Sequence, residues 1–181
     1  MLQKLDKNKK DHVVTISTKN LNGEFVAANG TLKIYKLQAP NSPMRKRSWN
    51  APDYQDISET EFRKLFPNEP YTEDENNEEN WKKGALVFEE KFDTEKSKKI
   101  KLGRIKKWNS GKYIAVLESK DKFNQEVKDQ QKFAVFSTSD EKVADNKLFT
   151  INTNKTSYKP NEDVVLQIGS ASKDITVVVQ I

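Results

Sequence analysis

The chain of 181 residues contains no cysteine and one histidine. Without a thiol there is no disulfide, no cysteine nucleophile and no thiolate metal site, and one imidazole cannot build a histidine-based zinc site. His12, the sole candidate imidazole base, stands beside Asp11 and close to Lys9 and Lys10. General-base chemistry also needs a nucleophile and an orienting group; the neighbouring sequence supplies neither, so His12 reads as a surface residue. No apolar run approaches the roughly 18 residues that span a bilayer. The opening MLQKLDKNKKDH has charges where a secretory signal would be hydrophobic, so a soluble segment without its own export address is expected. These absences remove most catalytic constellations. The expectation is a non-enzymatic chain with no catalytic residue, no cofactor and no metal.

What is present is charge. Lys and Arg total 32 against 27 Asp and Glu, a net charge of +5, while hydrophobic residues make up 34%. A folded core is therefore expected, but a thin one. The cations concentrate in Lys96-Ser-Lys-Lys-Ile-Lys-Leu-Gly-Arg-Ile-Lys-Lys107 and the acids in Glu69-Pro-Tyr-Thr-Glu-Asp-Glu-Asn-Asn-Glu-Glu79. In the basic block Ile100, Leu102 and Ile105 recur between cations, and the stretch from Lys99 alternates as a half-buried strand does. Single-strand nucleic-acid readers interleave aromatics with their cations as stacking platforms, and only Trp108 is near. The block reads as a solvated strand face, with no nucleic-acid partner. The acidic run could gather a hard cation, but it lacks the order of an EF-hand loop and its glycine, and reads as a solvated loop.

Most of the remaining pattern has the two-residue period of strands, broken by Asn, Gly and Asp clusters. His12-Val-Val-Thr-Ile-Ser-Thr is β-branched and alternating, and Asn20-Leu-Asn-Gly-Glu ends it with a turn signal. Phe25-Val-Ala-Ala, Thr31-Leu-Lys-Ile-Tyr-Lys-Leu, Ala85-Leu-Val-Phe-Glu-Glu-Lys-Phe, the basic strand, Lys112-Tyr-Ile-Ala-Val-Leu-Glu-Ser and Gln131-Lys-Phe-Ala-Val-Phe continue the series. About seven strands predict an all-β fold, an immunoglobulin- or fibronectin-like sandwich over 12–137.

One interruption differs. Residues 40–81 are rich in Pro, Asn and charge, and Ser58-Glu-Thr-Glu-Phe-Arg-Lys-Leu-Phe-Pro67 predicts a helix of about two turns. Ser58 and Glu61 have the spacing of a capping box, Ile57 can staple onto Phe62, and Pro67 stops the run. Phe62, Leu65 and Phe66 form an apolar face expected to dock on the sandwich, because so short a helix is marginal alone. A polar linker follows over 138–146. Residues 147–181 then contain two strands around a turn and a third, Ile175-Thr-Val-Val-Val-Gln-Ile181, as the first strands of a second, incomplete sandwich.

Tyr158-Lys-Pro-Asn-Glu-Asp-Val-Val-Leu resembles the Tyr-x-Pro-Gly-Glu-x-Val-x-Leu opening of a macroglobulin domain, the repeated fibronectin-like sandwich of the bacterial alpha-2-macroglobulin family. Asn161 stands where Gly is usual, and Asn is the next best residue at a left-handed turn position. Asn20-Leu-Asn-Gly-Glu-Phe-Val is similar to the family's inter-strand turn, Gly111-Lys-Tyr-Ile-Ala to its Gly-x-Tyr strand start, and Asp121-Lys-Phe-Asn with Phe133-Ala-Val-Phe to its closing hairpin. The insertion, with Arg47-Ser-Trp, Glu61-Phe, Phe66-Pro and Tyr71, is similar to that of large bacterial members. The resemblance implies one whole macroglobulin domain and the start of the next, within a secreted, periplasmic or envelope-anchored parent that traps proteases. Its partners would be neighbouring domains of the parent and, through the parent, proteases, with no membrane insertion by this segment. The family's thioester needs a cysteine, so none of its reactive chemistry carries over to this chain.

Trp49, Trp81 and Trp108 each lie within two residues of a cation and form the one candidate binding surface, although a buried anchor is the commoner role of a tryptophan. That surface supports the alternative class, an adhesion or carbohydrate-binding sandwich.

Overall fold

The computed structural model describes residues 4–180 except 122, 138, 154, 156, 174 and 179. The chain forms two compact units, one up to Gln38 and from Lys82 to Asp140, the other Ala39–Trp81 with the chain from Glu141 onward. The division falls at Asp140/Glu141, inside the stretch read as a linker, and the segment 39–81 groups with the C-terminal stretch.

The first unit is an all-β sandwich. Its strands are β1 (Lys4–Asp6), β2 (Val13–Thr15), β3 (Asn29–Leu37), β4 (Lys83–Asp93), β5 (Lys99–Lys101), β6 (Gly111–Lys120) and β7 (Glu126–Phe136). A five-stranded sheet has the order β1-β7-β6-β3-β4, and β2 pairs with β5 in a two-stranded one. All pairings are antiparallel except β1 with β7. Alternation decides what enters the core. Leu32 and Ile34 of β3 stand opposite Leu117 and Ala115 of β6, and Tyr113 opposite Phe133 of β7. These side chains meet Ile16, Phe92, Ile100, Leu102, Ile105, Trp108 and Val135 in one cluster. The apolar residues of the basic block are therefore core, and its cations face outward.

The strand count matches expectation, but the membership does not. Lys4–Asp6 pairs in parallel with the end of β7 and was not visible as a strand. Phe25-Val-Ala-Ala does not form one; only Phe25 bridges, to Lys19. The chain there crosses between sheets, and Thr94 holds it, donating its backbone N–H to the Ala28 carbonyl (2.9 Å) while its hydroxyl accepts the Ala28 N–H (2.8 Å).

In the second unit, α1 (Glu59–Leu65) begins as expected, with the Ser58 side chain accepting the Glu61 N–H at 3.3 Å. Its apolar face is a correction. Leu65 is 60% and Phe66 47% exposed, and Phe62 is half-buried, set against Phe66 and Tyr71 at ring distances of 5.2 and 5.3 Å. Strands β8 (Thr150–Thr153) and β9 (Leu166–Gly169) form the expected hairpin. Asn161 lies in its turn with φ 65°, the left-handed position inferred for it. The expected third strand is absent from the described residues of 175–181. A β-branched run forms a strand only where an edge pairs with it. Among the described residues no helix is long and apolar enough to cross a membrane.

Candidate functional site

Trp108 contributes no surface. It is 7% exposed and stacks on Tyr113 (5.3 Å between centroids), which stacks on Phe133 (5.7 Å). The Tyr113 hydroxyl donates to the Asn109 carbonyl at 2.5 Å, tying the start of β6 back to the corner that leads into it from β5. A tyrosine hydroxyl bonded back to the backbone ahead of its own strand also closes corners of β-sandwiches. A 3₁₀ turn at Ile105–Lys107 places Ile105 and Trp108 beneath that corner as core.

Trp49 and Trp81 belong to the second unit. Trp49 is 75% exposed. Trp81 is half-buried and its Nε1–H has no acceptor among the described residues. Trp81 lines a cleft of about 840 Å³ together with Met44, Arg45, Arg47, Lys147 and Phe149. Arg45, Arg47 and Lys147 of this cleft are engaged within the unit. Arg47 donates twice to the Pro70 carbonyl (3.1 and 2.7 Å), Arg45 pairs with Glu69, and Lys147 pairs with Glu78 at 3.1 Å. The acidic run also serves the local fold. Glu73 accepts the Ala51 N–H at 2.6 Å, Glu75 accepts the Tyr71 N–H at 2.7 Å and pairs with Arg63, and Asp74 accepts from Asn80 at 2.7 Å. Burial opposes the Arg63 charge, but bonds to Glu59 and Glu75 outweigh it and raise its pKa further above the usual arginine value. Among the described residues no three His, Asp or Glu side chains gather as a metal site would require.

His12 is half-buried rather than on the surface, and its Nε2 is buried without a hydrogen-bond partner among the described residues. The polar cluster that sequence reasoning missed lies at the end of β7. The Asp140 carboxylate accepts from Ser110, from Lys7 at 2.8 Å and from the Ser137 N–H at 2.9 Å, while the Ser137 hydroxyl bonds Asn8 and Ser139. Burial would raise the Asp140 pKa, and the donors of Lys7, Ser110 and Ser137 overcome that and lower it. A carboxylate neutralised by an ammonium and held ionised clamps together the segments that bring Lys7, Ser110 and Ser137 to it. No local spacing announced it, because its members, Lys7, Asn8, Ser110, Ser137 and Asp140, come from three separate stretches of the unit.

The strongest charge feature is the outward side of β2 and β5. Val13 pairs with Lys101 and Thr15 with Lys99. Arg104, Lys106 and Lys107 continue the strip around the 3₁₀ turn, and no acidic residue occurs from Lys96 to Lys107. Lys96 pairs with Asp93 at 3.2 Å, whereas Lys99, Lys101, Arg104, Lys106 and Lys107 have no ion pair among the described residues. Lys98 places its ammonium 3.9 Å from the ring centroid of Phe25. Comparison of the chain with family models, with curated proteins and with solved structures finds no match.

Proposed function

We propose that the chain is a non-catalytic scaffold segment of macroglobulin type, belonging to a larger alpha-2-macroglobulin-like protease trap of the cell envelope. The observation that carries this reading is the first unit's architecture. A five-stranded sheet in the order β1-β7-β6-β3-β4 stands with a β2-β5 pair, and Tyr113 closes the corner before β6. That corner lies in the Gly111-Lys-Tyr word that carries the resemblance. The core cluster of the unit is hydrocarbon and aromatic, and the two buried polar side chains among the described residues, Thr94 and Ser137, are engaged with Ala28 and with the Asp140 cluster.

The second unit supports the same reading from the opposite direction. Phe149, Ile151, Val164, Val165, Leu166 and Ile168 are all exposed around a two-stranded hairpin. An isolated hairpin is marginal in water, so further strands from neighbouring domains would complete it. The deciding experiment reads the coding sequence on both sides of this segment and expresses the enclosing protein. Consecutive sandwich domains, and a parent that shields substrate from a broad endopeptidase while this chain alone does not, are expected. A parent without such domains would overturn the reading.

An adhesion or carbohydrate-binding module is the second reading, favoured by the exposure of Trp49 and Tyr54 in the segment 39–81. It requires saturable glycan binding that Trp49→Ala abolishes without changing the melting transition.

A further inference from the structure

The basic strip on β2 and β5 does not stand alone. The turn Asn20-Leu-Asn-Gly-Glu is closed by the Asn20 carboxamide oxygen, which accepts the N–H groups of Asn22 (3.0 Å) and Glu24 (2.9 Å), with Gly23 at φ 84°. This tight closure leaves Leu21 fully exposed at the tip, with Phe25 and Val26 about half exposed behind it. The Lys98–Phe25 contact joins this apolar hairpin directly to the basic segment. Leucine at a turn tip gains nothing from the fold, because it buries no surface there.

Acidic groups bordering the strip are few. Asp93 is paired to Lys96, Glu24 is bonded by the Asn20 carboxamide, and Asp11 and Glu95 remain at the margins. Lys9, Lys10 and Lys19 add cations along β2 and its approaches. The result combines a row of unneutralised ammonium and guanidinium groups with protruding hydrocarbon. A hydrated polysaccharide or a nucleic-acid duplex would use the first and not the second. The boundary between the headgroups and acyl chains of an anionic bilayer uses both, since surface adsorption becomes stable when two such signals act together.

We propose that the β2–β5 face, with Leu21 as its apolar tip, is a docking surface for an anionic lipid bilayer. The contact is peripheral: cations meet lipid headgroups, Leu21 enters the interface, and nothing spans the membrane. The test is co-sedimentation of the full chain with vesicles of phosphatidylcholine containing phosphatidylserine, against phosphatidylcholine alone, with heparin and duplex DNA as competing probes. Binding only to the anionic vesicles, weakened by salt, is expected. Replacing Lys99, Lys101, Lys106 and Lys107 by Gln should lower the partition coefficient roughly a hundredfold, allowing for partial screening. The charge-matched change of Lys83, Lys91, Lys120 and Lys128 to Gln, on the five-stranded sheet, should lower it far less. Leu21→Ser should weaken vesicle binding about fivefold and leave heparin unaffected. The pair Lys106→Gln and Lys107→Gln, outside the strands, gives the same direction should the fourfold change unfold the chain. Equal losses from both fourfold variants would reduce the effect to net charge and overturn the proposal. So would absence of vesicle binding, or tighter binding to heparin or DNA with Leu21→Ser silent.

Discussion

The two units use the same alternating residue pattern and bury it to very different extents. Of the buried hydrophobic side chains among the described residues, all but Met44 and Pro70 belong to the first unit, whereas β8 and β9 of the second leave Ile151, Leu166 and Ile168 exposed. A strand pattern states which side chains can be buried; burial itself requires a second layer to meet them. The sharpest way to break the comparison is a matched pair of truncations. Ile34 is 0% exposed and Ile151 is 55% exposed. Ile34→Ala should cost about 2–5 kcal/mol in chemical denaturation followed by Trp108 fluorescence, because it removes hydrocarbon and leaves a cavity. Ile151→Ala should stay within about 0.5 kcal/mol. Comparable losses would mean that the second unit has a core of its own.

Tyr113 sharpens the same contrast with a smaller effect. Its ring fills the core of the first unit while its hydroxyl is satisfied by Asn109, so Tyr113→Phe keeps the packing and orphans a carbonyl. A loss of about 1–2 kcal/mol is expected, with hydrogen exchange accelerating at the β5–β6 corner before it does elsewhere. An unchanged midpoint would show that the bond only decorates the corner.

What was legible in the sequence follows the range of the forces involved. The long strands β3, β4, β6 and β7 declared themselves by alternation, and the Asn161 and Asn20 turns by residues whose side chains or tolerance of positive φ act over a few positions. β1 carried only Leu5 between two charges, and its existence depends on a parallel partner more than 120 residues away in the chain. Among the described residues from Ile175 onward the converse holds, with strand-forming residues and no strand assigned. The basic strip was readable as a solvated strand face, but its junction with Leu21 was not, because it requires the hairpin to fold Phe25 back under Lys98. Trp108 showed how a cation beside an aromatic in sequence says nothing about surface: Lys107 points to solvent and Trp108 to the core.

The Asp140 clamp gives the comparison a pH axis. It lies wholly in the first unit, and its carboxyl is held below the ordinary aspartate value by Lys7, Ser110 and Ser137 against the opposing effect of burial. A carboxyl whose folded pKa is depressed binds its proton more readily when unfolded. Its contribution is therefore complete above the unfolded value of about 4 and disappears as pH falls through the lower folded value. Asp140→Asn should cost about 1 kcal/mol near neutrality, and the difference from the parent chain should shrink on acidification below about pH 4. A difference that stayed constant from neutrality into acid would mean that the carboxylate charge plays no part.

The smallest effect belongs to α1, where a good cap meets poor packing. Ser58 accepts the Glu61 N–H, Glu59 pairs with Arg63 one turn on, and the Phe66 N–H closes on the Phe62 carbonyl at 2.7 Å. Every local signal agrees, yet Leu65 and Phe66 remain in water, so little tertiary burial resists fraying. Removing the cap by Ser58→Ala should cost about 0.5–1 kcal/mol. In a helix of seven residues that loss is large enough to raise amide exchange across Glu59–Leu65 severalfold. The melting transition of the first unit should not move, since Ser58 belongs to the second unit. A shift of that transition would show that the helix is coupled to the sandwich, and the contrast between a packed unit and a locally ordered one would no longer hold.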